Sequence, residues 1–205
     1  MRFLPVGPRA LLVELDDQET VLGLYAEIQR RRKTGWPGPL TDVVPAARTV
    51  LLDGLADPAQ VATDLQDWPP TPGLVPGGSP VEIPTTYGGT DLEEVAERWN
   101  MTTREAIATH VSTAFYVAFC GFSPGFAYLA GLPDHLAVPR RPSPRASVPA
   151  GAVGLAGEYT AVYPRSSPGG WQLIGRSDVV LWDPGRDPAA LLAPGTRVRF
   201  YEVKP

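Results

Sequence analysis

The order of hydrophobic and polar residues predicts a small α/β unit in the first 68 residues. The largely apolar runs at 10–15 and 49–55 are typical of strands. Four apolar residues between these runs lie at helical spacing: Val21, Leu24, Tyr25 and Ile28. Because this spacing repeats on one face of a helix, it predicts an amphipathic helix between the two strands.

The sequence also carries signals for the ends of helices. The basic run 30–33, followed by Gly35, predicts the end of the first helix, because cations favour helix C-termini and glycine suits the cap. This run favours a solvated helix end over a polyanion site. Asp57 and Pro58 match an N-cap and a first helical position. The inward face of the second helix is then expected to be Val61, Leu65 and Trp68.

Residues 69–80 form a proline- and glycine-rich stretch without apolar periodicity, which predicts a linker between domain 1–68 and domain 81–205. The second domain opens with an apolar strand pattern at 81–87. Two segments then have the residue types of a capping box, Thr90–Glu93 and Thr102–Glu105, and each predicts the start of a helix.

Beyond residue 113 the pattern changes to short apolar runs separated by glycine or proline. The last of these, 196–203, alternates Val198 and Phe200 with arginines, as a half-buried strand does. The chain contains 24 prolines and 21 glycines without a regular period, which favours many short strands joined by specific turns. The second domain is therefore expected to be rich in strands.

Composition narrows the class of protein. With 43% hydrophobic and 20% charged residues, the chain is typical of soluble globular proteins. Its net charge of −4 argues against a surface for nucleic acid or anionic membranes. The single cysteine, Cys120, excludes an internal disulfide, and the longest apolar run, 114–122, is too short to span a bilayer. No signal peptide is evident, so a cytoplasmic protein is expected.

Most familiar catalytic motifs are absent from the sequence. It contains neither a G-x-x-x-x-G-K-[ST] phosphate loop nor a G-x-S-x-G nucleophile elbow. One cysteine and two well-separated histidines do not give metal-ligand spacing. The glycine-rich segment 150–157 precedes no convincing helix, which disfavours a dinucleotide site.

The first of three candidate clusters spans residues 110–129. His110 continues the apolar stripe of Ile107 and Val111, which favours a packed, hydrogen-bonded core histidine. Two aromatic residues on a Gly/Pro loop, Phe122 and Phe126, instead suit the wall of a pocket. Apolar neighbours favour a buried, unreactive thiol at Cys120, and His135 is expected in a surface loop.

The other two clusters contain arginines. Arg140, Arg141 and Arg145 lie among prolines, and Arg145 can present a planar fork to a carboxylate or phosphate, although charges on a rim are an equal alternative. The segment SSPGGWQLIGRS, residues 166–177, ends near Arg176. Its two glycines before Trp171 predict either a tight turn with a core tryptophan or a pocket wall with exposed backbone N–H groups.

Five segments together resemble a known family: YGGTDLEEVA, FYVAFCGFSPGFAYL, PRRPSPRASVPAGAVGLAG, YTAVYP and SPGGWQLIGR. They are similar to allophanate hydrolase subunit 1, a family that includes the kinase inhibitor KipI and the B subunit of bacterial 5-oxoprolinase. They also resemble the carboxyltransferase C/D subdomains of urea carboxylase. The resemblance is dense over 81–202. The chain departs from the family pattern at Tyr159–Ala161, where Gln-Thr-Gly is common, and at Ser177–Asp178, where Thr-Pro is usual.

The resemblance implies an α+β fold, with a small α/β N-terminal domain followed by a cyclophilin-like β-barrel. It implies a non-autonomous subunit of an ATP-dependent 5-oxoprolinase, which opens 5-oxo-L-proline to L-glutamate together with two partner subunits of the A and C types. ATP is used by that complex. The alternative is a KipI-like inhibitor that binds a sensor histidine kinase, and a carboxyltransferase component is less favoured. Neither nucleic acid nor a membrane is an expected partner.

The resemblance also implies which residues form the site. The expected catalytic residues are His110 for proton transfer and Arg145 and Arg176 for holding a carboxylate or phosphoryl group. The expected substrate-binding residues are Phe122, Phe126, Tyr128, Gly169, Gly170 and Trp171. The backbone N–H groups of the two glycines would stabilise negative charge on the lactam carbonyl oxygen. No metal is expected.

Overall fold

The computed structural model describes residues 1–68 and 79–204. The chain divides into two compact units, Met1–Gly77 and Gly78–Pro205. Residues 69–78 of the predicted linker lie outside the described residues. Among the helices that are described, none has both the length and the apolar character needed to cross a bilayer.

The N-terminal unit is a four-stranded antiparallel sheet with two helices. Its elements are β1 (Arg2–Pro5), β2 (Ala10–Glu14), α1 (Gln18–Arg32), β3 (Asp42–Pro45), β4 (Thr49–Asp53) and α2 (Pro58–Gln66). The strand order is β1-β2-β4-β3. The two predicted strands and both predicted helices are confirmed. The sequence pattern misses β1 and β3, because four residues are too few to show alternation.

The predicted helix ends are also confirmed in this unit. The Asp57 carboxylate accepts backbone N–H groups at the start of α2, and Pro58 is the first helical residue. Arg30 and Arg31 at the end of α1 form ion pairs on the same helix, and Arg31 also lies 3.7 Å over the Trp68 ring. The basic run therefore stabilises a helix end, as the solvated interpretation predicts.

The C-terminal unit contains a closed seven-stranded barrel, which confirms the predicted fold class. Its elements are β5 (Val81–Tyr87), α3 (Leu92–Arg98), α4 (Thr103–Ser112), β6 (Phe115–Cys120), β7 (Ala127–Ala130), β8 (Arg145–Val148), β9 (Ala152–Ala156), β10 (Tyr159–Val162), β11 (Ser167–Gly169), β12 (Gln172–Arg176) and β13 (Arg197–Glu202). The barrel order is β10-β7-β6-β13-β5-β12-β9, while β8 and β11 form a separate pair. Only β5 and β13 pair in parallel among these described strands.

Strand β9 of the barrel wall is buried on both of its faces. Val153 and Leu155 point into the barrel core, whereas Ala152 and Ala156 belong to a second apolar cluster on the other face. This second cluster also contains Val148 of β8, so the β8–β11 pair covers the outside of the wall. Side chains alternate between the two faces of a strand. One face of β9 packs in the barrel core, and the other packs in the second cluster.

The two predicted capping boxes differ in outcome. The Thr102–Glu105 box is confirmed, with both reciprocal hydrogen bonds at the start of α4. The Thr90–Glu93 box is wrong, because Asp91 is the N-cap of α3 and makes no side-chain capping bond. Its carboxylate is instead turned toward two arginines, and these ionic hydrogen bonds replace the local cap.

Candidate functional site

A cavity of about 220 Å³ lies where the segments 122–128, 140–144 and 168–171 meet. These segments come from all three clusters that the sequence marks as candidates. The lining residues are Phe122, Phe126, Tyr128, Arg140, Pro144, Tyr163, Pro168, Gly169, Gly170 and Trp171. All six residues predicted to bind substrate are therefore brought together around one cavity.

Phe126 organises the aromatic wall of this cavity. Its side chain is buried, and four rings lie edge-on to it with centroids 5.0 to 5.5 Å away: Phe122, Tyr128, Tyr163 and Trp171. Aromatic pairs favour this arrangement because the positive ring edge meets the negative ring face. The wall is therefore a mutually supported set of rings with an apolar surface suited to a ring-shaped ligand.

Phe122 is held in an uncommon conformation at the edge of the cavity. Its φ of 67° is in the left-handed region, which costs a non-glycine residue about 1 kcal/mol or more. The turn around it is closed by the Ser123 N–H, which donates to the Gly121 carbonyl at 2.7 Å. Phe122 is 61% exposed although it lines the cavity, so its ring is available to a ligand.

Of the two glycines before Trp171, Gly169 has a packing reason, whereas a side chain at Gly170 would make only ordinary contacts. Neither glycine has a positive φ, so a left-handed backbone conformation does not require glycine at either position. A Cβ atom on Gly169 would lie 2.5 Å from the Tyr163 hydroxyl oxygen, which only a glycine avoids. Trp171 is buried, as the core interpretation predicts, and it also lines the cavity, as the pocket-wall interpretation predicts. The predicted tight turn is wrong at Gly169, which lies in strand β11.

A buried carboxylate ties the arginine segment to the tryptophan segment. Asp91 is only 4% exposed and accepts from Arg145 Nη2 at 2.6 and 2.8 Å and from Arg141 Nη1 at 3.0 Å. It also accepts from the Leu173 N–H at 2.6 Å. Arg145 Nη1 in turn donates to the Trp171 carbonyl at 3.2 Å. Asp91 therefore fixes the segments on both sides of the cavity.

None of the three predicted catalytic residues lines the aromatic cavity. Arg145 is engaged by Asp91, and Arg176 pairs with the exposed Asp178 at 2.6 Å beside a different cavity. His110 is fully buried against Phe115 of β6 and Phe200 of β13. The arginine that lines the cavity is Arg140, which the sequence places in the cluster but does not single out.

His110 is a satisfied core residue, as its place in the apolar stripe predicts. It is fully buried, with Nε2 3.0 Å from the Thr160 hydroxyl and Nδ1 2.8 Å from the Tyr87 hydroxyl. Because Thr160 donates to the Gly154 carbonyl, it accepts from Nε2, which leaves Nδ1 to accept from Tyr87. Burial lowers the pKa of His110 to about 3. The catalytic role that the resemblance implies therefore finds no support in this geometry.

This placement of His110 predicts a loss of stability in acid. The pKa is lowered from 6.5 to about 3 in the folded chain, so the unfolded chain takes up the proton first as the pH falls. The contribution of His110 to the free energy of unfolding is fully present above about pH 6.5. It is lost toward pH 3, at roughly 1.4 kcal/mol per pH unit. Urea unfolding of the wild type and His110→Gln between about pH 7 and about pH 5 measures this slope.

The His110→Gln variant is expected to show the shallower slope, because glutamine carries no titrating proton. His135→Gln is the matched control, since His135 is exposed in a 3₁₀ turn (Asp134–Leu136). The control is expected to keep the wild-type profile. Equal slopes for the wild type and His110→Gln would contradict the burial of a neutral imidazole.

Two further sequence interpretations concern reactive side chains. Cys120 is half-buried rather than fully buried as predicted. Its partial burial still raises the pKa of the thiol to about 11, which fits the expected unreactive thiol. His135 lies on the surface, as predicted. Across the ranges 1–68 and 79–204, no three His, Cys, Asp or Glu residues are grouped so as to hold a metal ion.

Sequence comparison now identifies the family. The sequence model of one protein family, the carboxyltransferase domain, subdomain C and D, matches residues 1–192. The chain belongs to this family. The chain is 38% identical to the B subunit of 5-oxoprolinase from Escherichia coli O157:H7, over 97% of this chain and 94% of that protein. It is 47% identical to the B subunit of 5-oxoprolinase from Bacillus subtilis, over 60% of this chain and 52% of that protein.

Solved structures with the same fold include longer proteins. The crystal structure of TTHA0988 matches 96% of this chain with a TM-score of 0.79 and 35% identity, and the match spans 41% of that chain. Kluyveromyces lactis urea carboxylase matches 98% of this chain with a TM-score of 0.67, over 22% of its own length. At 18% identity, this second likeness shows the fold alone.

Proposed function

We propose that this chain is the B subunit of an ATP-dependent 5-oxoprolinase complex and that its aromatic cavity binds the cyclic amide. The cavity is the observation that carries the proposal: about 220 Å³, walled by aromatic rings, with one arginine and two backbone glycines. These features match a small ring that carries a carboxylate and a lactam. The names of the relatives from E. coli and B. subtilis support the same reaction.

In this proposal, different residues of the cavity contact different parts of the ligand. The rings of Phe126 and Trp171 would form the wall against which the lactam ring packs, and would exclude water. Backbone N–H groups at Gly169–Gly170 would donate to the lactam carbonyl oxygen as negative charge develops there. Arg145 acts as a positioning residue, because its guanidinium holds the Trp171 carbonyl. Water then adds across the C–N bond of the lactam, which gives L-glutamate.

The cavity does not fit ATP. Pockets that enclose ligands of that size are typically about 300–1,000 Å³, and this one is about 220 Å³. One arginine beside aromatic rings also does not match a triphosphate, which needs several cations or a cradle of backbone N–H groups. We therefore place no nucleotide in this cavity.

A reconstitution assay tests the proposed function. The complex of this chain with its two partner subunits is expected to release L-glutamate from 5-oxo-L-proline in the presence of ATP. Omission of this chain is expected to reduce release to background, and adding the full chain back is expected to restore it. Full glutamate release without this chain would overturn the proposal.

The alternative of a sensor-kinase inhibitor stays a prediction, and the same assay separates it from the enzyme subunit. An inhibitor would lower the autophosphorylation of a histidine kinase and contribute nothing to glutamate release. The exposed ring of Phe122 suits either a ligand or a partner surface, so this residue does not favour the inhibitor.

A further inference from the structure

Arg140 differs from the neighbouring arginines because its side chain is free. It is exposed at the cavity, and none of the ion pairs within residues 1–68 and 79–204 includes it. Arg141 and Arg145 are both engaged by Asp91. Arg140 is therefore the guanidinium of this segment that is open to an incoming anion.

The backbone on each side of Arg140 is nevertheless fixed. The Gln172 side-chain amide donates to the Pro139 carbonyl at 3.3 Å, and the Arg141 N–H donates to the Gly170 carbonyl at 2.8 Å. These bonds tie the arginine segment to the opposite wall of the cavity. Because the backbone is already fixed, binding an anion here would order only the Arg140 side chain.

The charges around the cavity favour an anion. Its lining includes Arg140 but no aspartate or glutamate. Behind the wall, two arginines share the single carboxylate of Asp91, which leaves one further positive charge there. An arginine fork matches a carboxylate in a bidentate manner and gives hydrogen bonds stronger than those between neutral groups.

We infer that Arg140 binds the carboxylate of a small cyclic acid and so selects ligands that carry this group. The ring of the acid packs against the aromatic wall, and the cavity volume limits the ligand to a single small ring. The inference rests on the proposed function only in naming 5-oxo-L-proline as the acid. Arg140 thus takes the anion-binding role that the sequence assigns to Arg145 and Arg176.

Three probes separate the carboxylate from the ring. We use 5-oxo-L-proline, 2-pyrrolidinone, which has the lactam but no carboxylate, and cyclopentanecarboxylate, which has the carboxylate but no lactam. NMR titration of the full chain, followed at the indole N–H signal of Trp171, gives a dissociation constant at this cavity for each probe.

Arg140→Gln is expected to weaken both carboxylate probes about ten- to a hundredfold and to leave 2-pyrrolidinone unchanged, because only the ionic hydrogen bonds are lost. Arg140→Lys keeps the charge without the fork and is expected to be intermediate. Arg199→Gln is the matched control, since Arg199 is exposed on β13 and does not line the cavity. Because Arg140 has no ion pair to lose, the variants are expected to keep the wild-type fold.

Three results would overturn the inference: equal weakening of all three probes, no weakening of either carboxylate probe, or no probe that shifts the Trp171 signal in the wild type. Turnover by the complex distinguishes this failure from that of the proposed function. If Arg140→Gln leaves the KM for 5-oxo-L-proline unchanged, the inference fails while the proposed function stands. If Arg140 selects carboxylates but the wild-type complex releases no glutamate, the proposed function fails and the inference stands.

Discussion

Replacing Asp91 with alanine is expected to lower the free energy of unfolding of the C-terminal unit by about 3 kcal/mol or more. The substitution removes the one carboxylate that Arg141 and Arg145 share and leaves their guanidinium groups without a counter-ion in a largely enclosed site. It also leaves the buried Leu173 N–H without its acceptor. Chemical denaturation followed by circular dichroism measures the loss.

The matched control for this variant is Asp178→Ala. Asp178 also pairs with an arginine, but both side chains of that pair are largely exposed, so no measurable loss is expected. Asp91→Asn keeps the shape of the side chain and one acceptor oxygen, and is expected to lie between alanine and the wild type. If Asp91→Ala and Asp178→Ala are equally stable, Asp91 does not hold the walls of the cavity together.

Replacing Trp171 with alanine is expected to have the largest effect on function. Trp171 is buried and lies perpendicular to Phe126, so its loss is expected to cost about 3–5 kcal/mol of stability. It also removes one wall of the cavity, and misplacement of the ligand is expected to lower kcat/KM of the complex on the order of 100-fold. Steady-state glutamate release by the reconstituted complex measures this effect.

Two variants separate lost packing from lost binding at Trp171. Trp171→Phe keeps an aromatic ring and is expected to recover most of the stability but only part of the activity. Trp182→Ala is the control, because Trp182 is exposed and does not line the aromatic cavity. Activity of Trp171→Ala equal to that of Trp182→Ala would show that the substrate binds elsewhere.

Local patterns predict the elements of this chain well. The strand at 81–87 agrees residue for residue with β5, and the alternation around Phe200 correctly marks β13. The capping box at Thr102–Glu105 and the core position of His110 also follow from the sequence. In each case the deciding interactions lie within a few residues along the chain or follow from the period of one element.

The errors arise where a distant partner decides the outcome. Thr90–Glu93 has the residue types of a capping box, but Asp91 is instead engaged by arginines about 50 residues away. The same contact engages Arg145 and leaves Arg140 free, and no local signal distinguishes the two. The sequence marks the three segments that meet at the cavity, because each is rich in glycine or proline. Which arginine faces the cavity depends on contacts that form only in the folded chain.

The decisive measurement is a crystal structure of the reconstituted complex with 5-oxo-L-proline bound. The proposed site predicts the lactam ring in van der Waals contact with Phe126 and Trp171, and its carboxylate within hydrogen-bond distance of Arg140. A complex with 5-oxo-L-proline bound on a partner chain, and none between these three side chains, would contradict it.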